Sequence, residues 1–339
     1  MSRAQLTSTV EQNSGGAVAP LVAGKNAIIN GGMDIAQRGI SISVPAGPVY
    51  TLDRWAVNVS IATTSTVSRI SSGLTGFQYA LRWQRPSGTT TTPLFVLAQS
   101  IETVNSIPFA GKQITFSFYI RTGTNFSAPG VNYLLSSGTG TDENLLNGFT
   151  GGTTLITNGV LANTSWQRVT GTATVPSNAT QLGIYFNYTA IGTAGANDYF
   201  DITGVQLELG SVATTFSRAG GSIGGELALC QRYYWRSVST GTSNAISFGT
   251  AKSTTVVGAA IEPPQTLRIT PTILECPNLS VYDGATLTVV TTAVTNSTLP
   301  STPDYMYIEI TVASGLTQFR PYYVIATNTT GYIGFSAEL

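Results

Sequence analysis

Short runs in which apolar and polar side chains alternate dominate this sequence, and they restrict what the chain can fold into. Clear examples are Gln113–Arg121, Arg168–Val175 and Gln181–Tyr188. A period of two places one face of each run in a core and the other in water, as in a half-buried β-strand. Gly, Asn, Pro and Ser separate the runs at close intervals, and helical periodicity is almost absent. The sequence therefore predicts an all-β protein with antiparallel sandwiches of the jelly-roll kind.

The sequence predicts four segments along the chain. Residues 1–25 hold too few large apolar side chains for a core and are expected to form an extended N-terminal arm. Residues 26–219 are expected to form the jelly-roll domain. Residues 220–235 contain a Gly-rich hinge followed by a short helix over Glu226–Tyr234. Strand-like runs resume after the hinge, so residues 236–339 are expected to form a second, smaller antiparallel β domain, a C-terminal β-sandwich.

Charged residues are unusually few. The 339 residues include 16 Lys+Arg and 16 Asp+Glu, which is 9% charged, with a net charge of zero; about 25% is usual. A neutral chain without a basic run lacks the electrostatic surface that nucleic acid or an anionic membrane would need. Gly, Thr, Ser, Asn and Pro interrupt every long uncharged window, so no membrane insertion is expected.

The ionisable residues argue against catalysis. The chain has no histidine, which removes the commonest general base and the commonest transition-metal ligand. A glycosidase needs only two carboxylates, but the adjacent Asp142 and Glu143 lie in a Ser/Gly/Thr-rich loop, where neighbouring side chains diverge. We therefore expect a protein that is not an enzyme, with no catalytic residues and no required cofactor.

Several motifs resemble one known family. The segment Asn26–Gly39 contains Asn30-Gly31-Gly32-Met33-Asp34, and Tyr50–Trp55 follows it. This opening resembles that of jelly-roll domains in tailed-phage tail-fibre and virion-surface proteins, which are similar to carbohydrate-binding modules of the galactose-binding-like class. Ala36 stands where the phage pattern usually has Trp. Later blocks agree in order or resemble the C-terminal module of phage tail fibres: Gly111–Phe118, Ser165–Val169, Phe200–Ser211, Glu226–Tyr234 and Phe335–Leu339.

The resemblance implies a non-enzymatic virion structural protein, a short tail fibre or receptor-binding appendage held to the particle by residues 1–25. The same modules could serve a head decoration or head-fibre protein, and a further alternative is the glycan-binding module of a host-surface-degrading enzyme. The expected partners are other virion proteins, copies of the same chain in a trimer, and a host-surface glycan. Because residues 1–8 lack the apolar run of a secretory signal, assembly in the host cytoplasm is expected.

The resemblance also implies a structural calcium ion that ties the opening segment to the closing strand of the jelly roll. Asp34 and Asp201 would supply hard oxygen ligands for Ca²⁺. The competing interpretation is that these aspartates make turn and backbone hydrogen bonds, or an ion pair with Arg38 or Arg54.

Aromatic side chains are the candidates for glycan contact, because the apolar faces of sugars stack on Trp and Tyr rings. Trp83 and the run Tyr233, Tyr234 and Trp235 are the candidates in this sequence. Three adjacent residues cannot all face inward, so packing between domains or subunits is the competing interpretation for the run. Two further tryptophans, Trp55 and Trp166, lie in strand-like blocks and are expected in the core.

Overall fold

The computed structural model describes residues 23–61, 64–271, 273–296 and 301–339. Almost all of its regular structure is β-strand, and every strand pair recorded is antiparallel. The all-β prediction is confirmed. Most of the predicted arm, residues 1–22, lies outside the described residues.

Two six-stranded sheets form the first domain as a jelly-roll sandwich. One sheet has the order β1-β4-β5-β12-β7-β10, here the R sheet, and the other has the order β2-β3-β6-β11-β8-β9. The strands are β1 (Ser41–Ser43), β2 (Gly47–Tyr50), β3 (Ala56–Val59), β4 (Thr66–Ser71), β5 (Tyr79–Gln84), β6 (Leu94–Ile101), β7 (Gln113–Thr122), β8 (Gly130–Gly138), β9 (Thr153–Leu161), β10 (Gln167–Thr174), β11 (Gln181–Thr189) and β12 (Tyr199–Leu209). A one-turn helix α1 (Thr103–Ser106) follows β6.

Alternate residues of these strands form the core between the sheets. In β7, for example, Ile114, Phe116, Phe118 and Ile120 are all buried in one cluster with residues of the opposite sheet. Aromatic rings fill its centre, since Phe118 meets Phe186 edge to face at 4.9 Å between ring centroids. The period-two pattern of the sequence is thus the inside–outside alternation of the sandwich.

The Asn-Gly-Gly motif fastens the opening segment to the closing strand β12. The Asn30 side chain donates to the Ile35 and Asp53 carbonyls at 2.8 and 3.0 Å, so it joins the two halves of the opening segment. Gly31 lies so close to β12 that a Cβ there would overlap the Val205 carbonyl oxygen. Met33 is fully buried in the core. The motif that carried the family resemblance therefore holds the opening segment against β12.

The helix at the hinge begins earlier in the sequence than predicted. Helix α2 (Ile223–Gln231) starts within the glycines, because the Ser222 hydroxyl caps it by accepting from Gly225 N at 3.1 Å. It also ends before the tyrosines, which belong to strand β13 (Tyr234–Arg236) or precede it. Buried Glu226 joins α2 to the opening segment by accepting from Asn30 N and, at 2.7 Å, from Gly220 N. Burial raises the pKa of this carboxyl.

The C-terminal region differs from the predicted second sandwich. Six strands close into a barrel in the order β14-β15-β19-β18-β17-β20, where β14 is Asn244–Ala251, β15 is Val256–Ile261, β17 is Leu279–Tyr282, β18 is Leu287–Asn296, β19 is Met306–Val312 and β20 is Pro321–Ala326. Closure occurs because β20 pairs with both β14 and β17. Beside the barrel, β13, β21 (Gly334–Ser336) and β16 (Ile273–Glu275) form a three-stranded sheet. The prediction of a smaller antiparallel β domain is confirmed, but its architecture is a barrel.

Candidate functional site

Tyr233 and Tyr234 lie at the junction of the sandwich and the C-terminal region, where both are buried. Each ring is covered by an arginine from the opening segment, Arg54 over Tyr233 and Arg38 over Tyr234, with 3.6 Å from guanidinium carbon to ring centroid in both pairs. Burial raises the pKa of Tyr233 to about 12. These two tyrosines pack between the domains and present no ring to a glycan.

Both arginines also reach Glu338 near the end of the chain. Arg54 forms a close ion pair with this carboxylate, and Arg38 approaches it at 3.3 Å. Arg54 further donates to the Ser100 carbonyl at 2.8 Å. The Tyr50 hydroxyl donates to Leu339 O at 2.9 Å. The opening motif and the segment Phe335–Leu339, which carried the family resemblance at opposite ends of the sequence, therefore meet at one junction.

Trp235 faces a cleft beside this junction, here the Trp235 cleft. The cleft has a volume of about 540 Å³ and lies between the opening segment, α2 and the barrel side of the chain. Trp235 stacks on Phe335 with 5.8 Å between ring centroids and an interplanar angle of 18°. Arg236 lies over the Tyr332 ring at 4.6 Å. The side chains that line the cleft include those of Ala36, Gln231, Trp235, Arg236 and Tyr332.

The polar groups of the Trp235 cleft retain hydrogen-bonding capacity. Among the described residues, the Trp235 indole N–H has no acceptor and the Gln231 carboxamide has no partner. Arg236 donates to the Arg38 carbonyl at 3.3 Å through one of its two terminal nitrogens. A cleft of this size with aromatic walls and a few unused donors matches the general chemistry of sites for small polar ligands such as sugars.

Trp83 is not available for glycan contact. It lies on β5 with its side chain fully buried in the sandwich core, where its indole N–H donates to the Ser65 hydroxyl at 3.1 Å. Phe95 meets it edge to face at 5.0 Å. The glycan interpretation of Trp83 is wrong because residue 83 falls on the inward phase of its strand.

Asp34 and Asp201 are each engaged by arginines. Asp34 accepts from Arg218 Nε at 2.7 Å. Asp201 is fully buried, and both of its oxygens accept from guanidinium groups of Arg82 and Arg121. The ion-pair interpretation was therefore right in kind, but the partners differ from the expected Arg38 and Arg54.

This donor set does not fit a calcium ion. Ca²⁺ takes six to eight oxygen ligands, whereas the oxygens of Asp201 already face cations. Within the described ranges, no group of three or more His, Cys, Asp or Glu side chains is arranged to hold a metal. The two aspartates are held by positive charge from the protein itself.

We expect calcium to leave the stability of the protein unchanged. Melting curves recorded in millimolar-range calcium and in a chelator should superimpose, because Asp34 and Asp201 are committed to arginines and gain nothing from the ion. Differential scanning calorimetry of the full chain measures this directly. A melting temperature that rises with calcium, and does so no longer after Asp201→Asn, would restore the metal site.

The acidic loop pair is also structurally engaged. Asp142 accepts from Thr103 N at 2.8 Å and pairs with Arg268 at 3.2 Å. Glu143 accepts from both the amide and the hydroxyl of Thr150, at 2.7 and 2.5 Å. These contacts order the loop and give neither carboxylate a free position beside a common bond.

Sequence reasoning found Trp235 but missed the rest of its cleft. Gln231 is the last residue of α2, Arg236 ends β13, and Tyr332 comes from a loop before β21. Only Arg236, adjacent to an aromatic run, carried any signal in the sequence. Gln231 lies one helical turn before Trp235, at the end of α2, whereas Tyr332 joins the site through tertiary folding from about a hundred residues further along the chain.

Comparison with protein-family models and with curated proteins finds no match to this chain. Its fold is similar to those of several solved structures. The enzymatically active domain of tailspike protein 4 from bacteriophage CBA120 is 13% identical over 55% of this chain, with a TM-score of 0.35. That likeness spans 21% of the tailspike structure, about a fifth of its length.

Carbohydrate-binding modules are also similar to about half of this chain. A CBM4 structure is 16% identical over 53% of this chain and 98% of its own, with a TM-score of 0.33. The xylan-binding CBM22-1 domain from Paenibacillus barcinonensis Xyn10C is 13% identical over 56% of this chain and 98% of its own, with a TM-score of 0.31. Identities and scores this low concern the fold alone and carry no argument about function.

In the described part of the chain, no helix is long and apolar enough to cross a membrane.

Proposed function

We propose that this protein is a non-enzymatic structural protein of a tailed-phage virion, a short tail fibre or receptor-binding appendage attached through its N-terminal arm. We further propose that it contacts a host-surface glycan in the Trp235 cleft. The observation that supports the proposed glycan contact is the cleft itself. Trp235 and Tyr332 supply aromatic surface, while the Trp235 indole N–H and Gln231 amide supply unused hydrogen-bonding groups.

The non-enzymatic part of the proposal rests on how the carboxylates are used. Asp142 and Glu143 order their loop, and Asp34 and Asp201 are paired with arginines. Glycoside hydrolysis needs two carboxyl groups facing one bond, one as acid and the other as base or nucleophile. Two alternatives are compatible with the same fold. The first is a head decoration or head-fibre protein, and the copy number per virion distinguishes it from a tail appendage. The second is the glycan-binding module of a host-surface-degrading enzyme.

A homo-oligomer, with a trimer favoured by the family resemblance, is part of the proposal. The barrel exterior supports it. Phe248, Tyr323, Tyr282 and Leu287 occupy one row across four adjacent strands, each the register partner of the next. Phe248, Tyr323 and Leu287 are 55%, 48% and 52% exposed. Apolar rows of this kind are the surfaces that copies of a chain bury against one another.

Filling the Trp235 cleft should weaken glycan binding. Ala36→Trp places an indole in the cleft, and we expect it to weaken binding to any glycan retained by the wild type at least tenfold, about 1.4 kcal/mol. Gln231→Ala should weaken it less, because it removes one amide. Glycan-array screening followed by titration calorimetry measures both. A polysaccharide-clearing assay run in parallel should show no release of reducing ends.

Ala245→Trp is the matched control, since it adds the same side chain at an exposed position of the barrel. It should bind glycan as the wild type does. Melting temperature and sedimentation velocity of each variant check that fold and oligomeric state are unchanged. Undiminished binding by Ala36→Trp, or an array on which the wild type retains nothing, would overturn the proposed cleft; cleavage of the polysaccharide would overturn the non-enzymatic role.

A further inference from the structure

A row of charged side chains crosses the outer face of the R sheet. Asp201 on β12 has Arg82 of β5 as its register partner on one side and Arg121 of β7 on the other. Phe200 and Ile202, which flank Asp201, belong to the core, so Asp201 and its partners are on the face away from it. Sheet pairing therefore places one arginine on each side of Asp201.

The carboxylate holds both guanidinium groups. Arg82 donates through Nε to Oδ1 at 2.7 Å and through Nη2 to Oδ2 at 3.0 Å. Arg121 donates through Nε to the same Oδ2 at 2.8 Å. Asp201 is fully buried beneath them, whereas the arginine side chains are 24% and 25% exposed. The row thus presents two positive charges to solvent above one buried negative charge.

Aromatic rings fix the outer sides of these arginines. The Arg82 guanidinium lies 3.5 Å from the centre of the Tyr199 ring, and that of Arg121 lies 4.7 Å from the Trp166 ring. Trp166 is itself held by its indole N–H, which donates to the Ser72 carbonyl at 3.1 Å. Trp166 was expected in the core, but it is a half-buried platform on the outer face. Such rings restrain arginine while keeping its charge.

Arg121 retains unused donors. Its Nε is committed to Asp201, while neither Nη atom donates to any atom in the described residues. A third arginine, Arg168, is exposed on the neighbouring strand β10, where it is the register partner of Tyr119 on β7. The next acid along this face of β12, Glu208, pairs with Lys25 at 3.7 Å. The face around Arg121 therefore carries excess positive charge on a chain whose net charge is zero.

A purely structural role for the row would need only one arginine to neutralise Asp201. The second, Arg121, is held in place by Asp201 and Trp166 while its two Nη atoms remain free to donate. This geometry suits a ligand carboxylate, which can accept two parallel N–H hydrogen bonds from one guanidinium group. Trp166 beside it offers a flat apolar surface for a pyranose ring. We propose that this face binds the carboxylate of an acidic glycan, such as a uronate or sialate unit. The site shares no residue with the Trp235 cleft and rests on the proposed function only in taking a glycan as its ligand.

The test uses ligand pairs that differ in charge alone or in one acidic sugar. Oligogalacturonate is compared with its methyl ester, and sialyllactose with lactose, by titration calorimetry on the full chain at low ionic strength. The wild type should bind at least one acidic ligand at least tenfold more tightly than its neutral counterpart. Arg121→Gln should remove that preference, and added salt should reduce it, because screening weakens exposed charge interactions.

Arg320→Gln is the matched control, because Arg320 also pairs with an aspartate, Asp283, but on the barrel. It should leave the acidic preference intact, and so should Ala36→Trp, which tests the separate cleft. Arg121→Gln should remain folded, since Arg82 still pairs with Asp201; its melting temperature verifies this. Equal affinity of the wild type for charged and neutral ligands, no binding of either acidic ligand, or an acidic preference that survives Arg121→Gln would overturn the site whatever the cleft binds.

Discussion

Replacing Arg54 with methionine is expected to lower the free energy of unfolding by roughly 3–5 kcal/mol, the range for breaking a buried ion pair from one side. Arg54 is buried and is held by Glu338, by the Ser100 carbonyl and by the Tyr233 ring. Methionine fills much of the space but leaves the buried Glu338 carboxylate with Arg38 alone, at 3.3 Å. Urea denaturation at neutral pH measures the loss.

The matched control is Arg320→Met, which removes an arginine that is 46% exposed from its ion pair with Asp283 at the barrel surface. Exposed pairs contribute about 0–1 kcal/mol, so this variant should be nearly as stable as the wild type. The double variant Arg54→Met with Glu338→Leu should recover part of the loss, because no charge is then left buried. If Arg54→Met is no more destabilising than Arg320→Met, the junction does not hold the two domains together as described.

Gly31→Ala is expected to destabilise the sandwich by about 3 kcal/mol, at the upper end for overpacking. A Cβ at residue 31 would overlap the Val205 carbonyl oxygen and lie 3.1 Å from its carbon. Neither atom can move freely, because Val205 belongs to the central strand β12 and its carbonyl also accepts from the Asn26 side chain at 3.0 Å. The opening segment must therefore lift away from β12. A lower denaturation midpoint with an unchanged slope would report this loss.

Gly224→Ala controls for the loss of glycine itself. Gly224 lies in α2, and a Cβ there meets nothing within 4 Å. Alanine is favoured over glycine in a helix by up to about 1 kcal/mol, so this variant should equal or exceed the wild type in stability. Similar midpoints for Gly31→Ala and the wild type would mean that the contact between the opening segment and β12 tolerates a side chain at residue 31.

The strands of the sandwich could be predicted because their signal is local. The runs 113–121, 168–175 and 181–188 agree with β7, β10 and β11 within a residue or two at each end. The apolar side chains of each run face the core between the sheets, so the run itself carries the alternation. The barrel could not be distinguished from a sandwich, since closure depends on β20 pairing with both β14 and β17, and long-range pairing leaves no local pattern.

Contacts across the chain decided the environments of the candidate site residues. Tyr233, Tyr234 and Trp235 are adjacent and similar in sequence, yet Arg54 and Arg38 cover the first two while Trp235 lines a cleft. The arginine partners of Asp201 are 119 and 80 residues away in the chain. Sequence alone could identify Asp201 as a residue of the closing strand, but the register of neighbouring strands supplied its partners.

The junction also has a consequence for synthesis of the protein. Arg54 and Arg38 are 284 and 300 residues from Glu338. At a translation rate of 5–20 residues per second, a nascent chain carries these arginines for about 15–60 s before their carboxylate has been made. During that interval the faces of the sandwich that will meet the C-terminal segment are open to the crowded interior of the cell. Slow codons between residues 54 and 338 would lengthen this exposure, and we expect the yield of folded protein to depend on them.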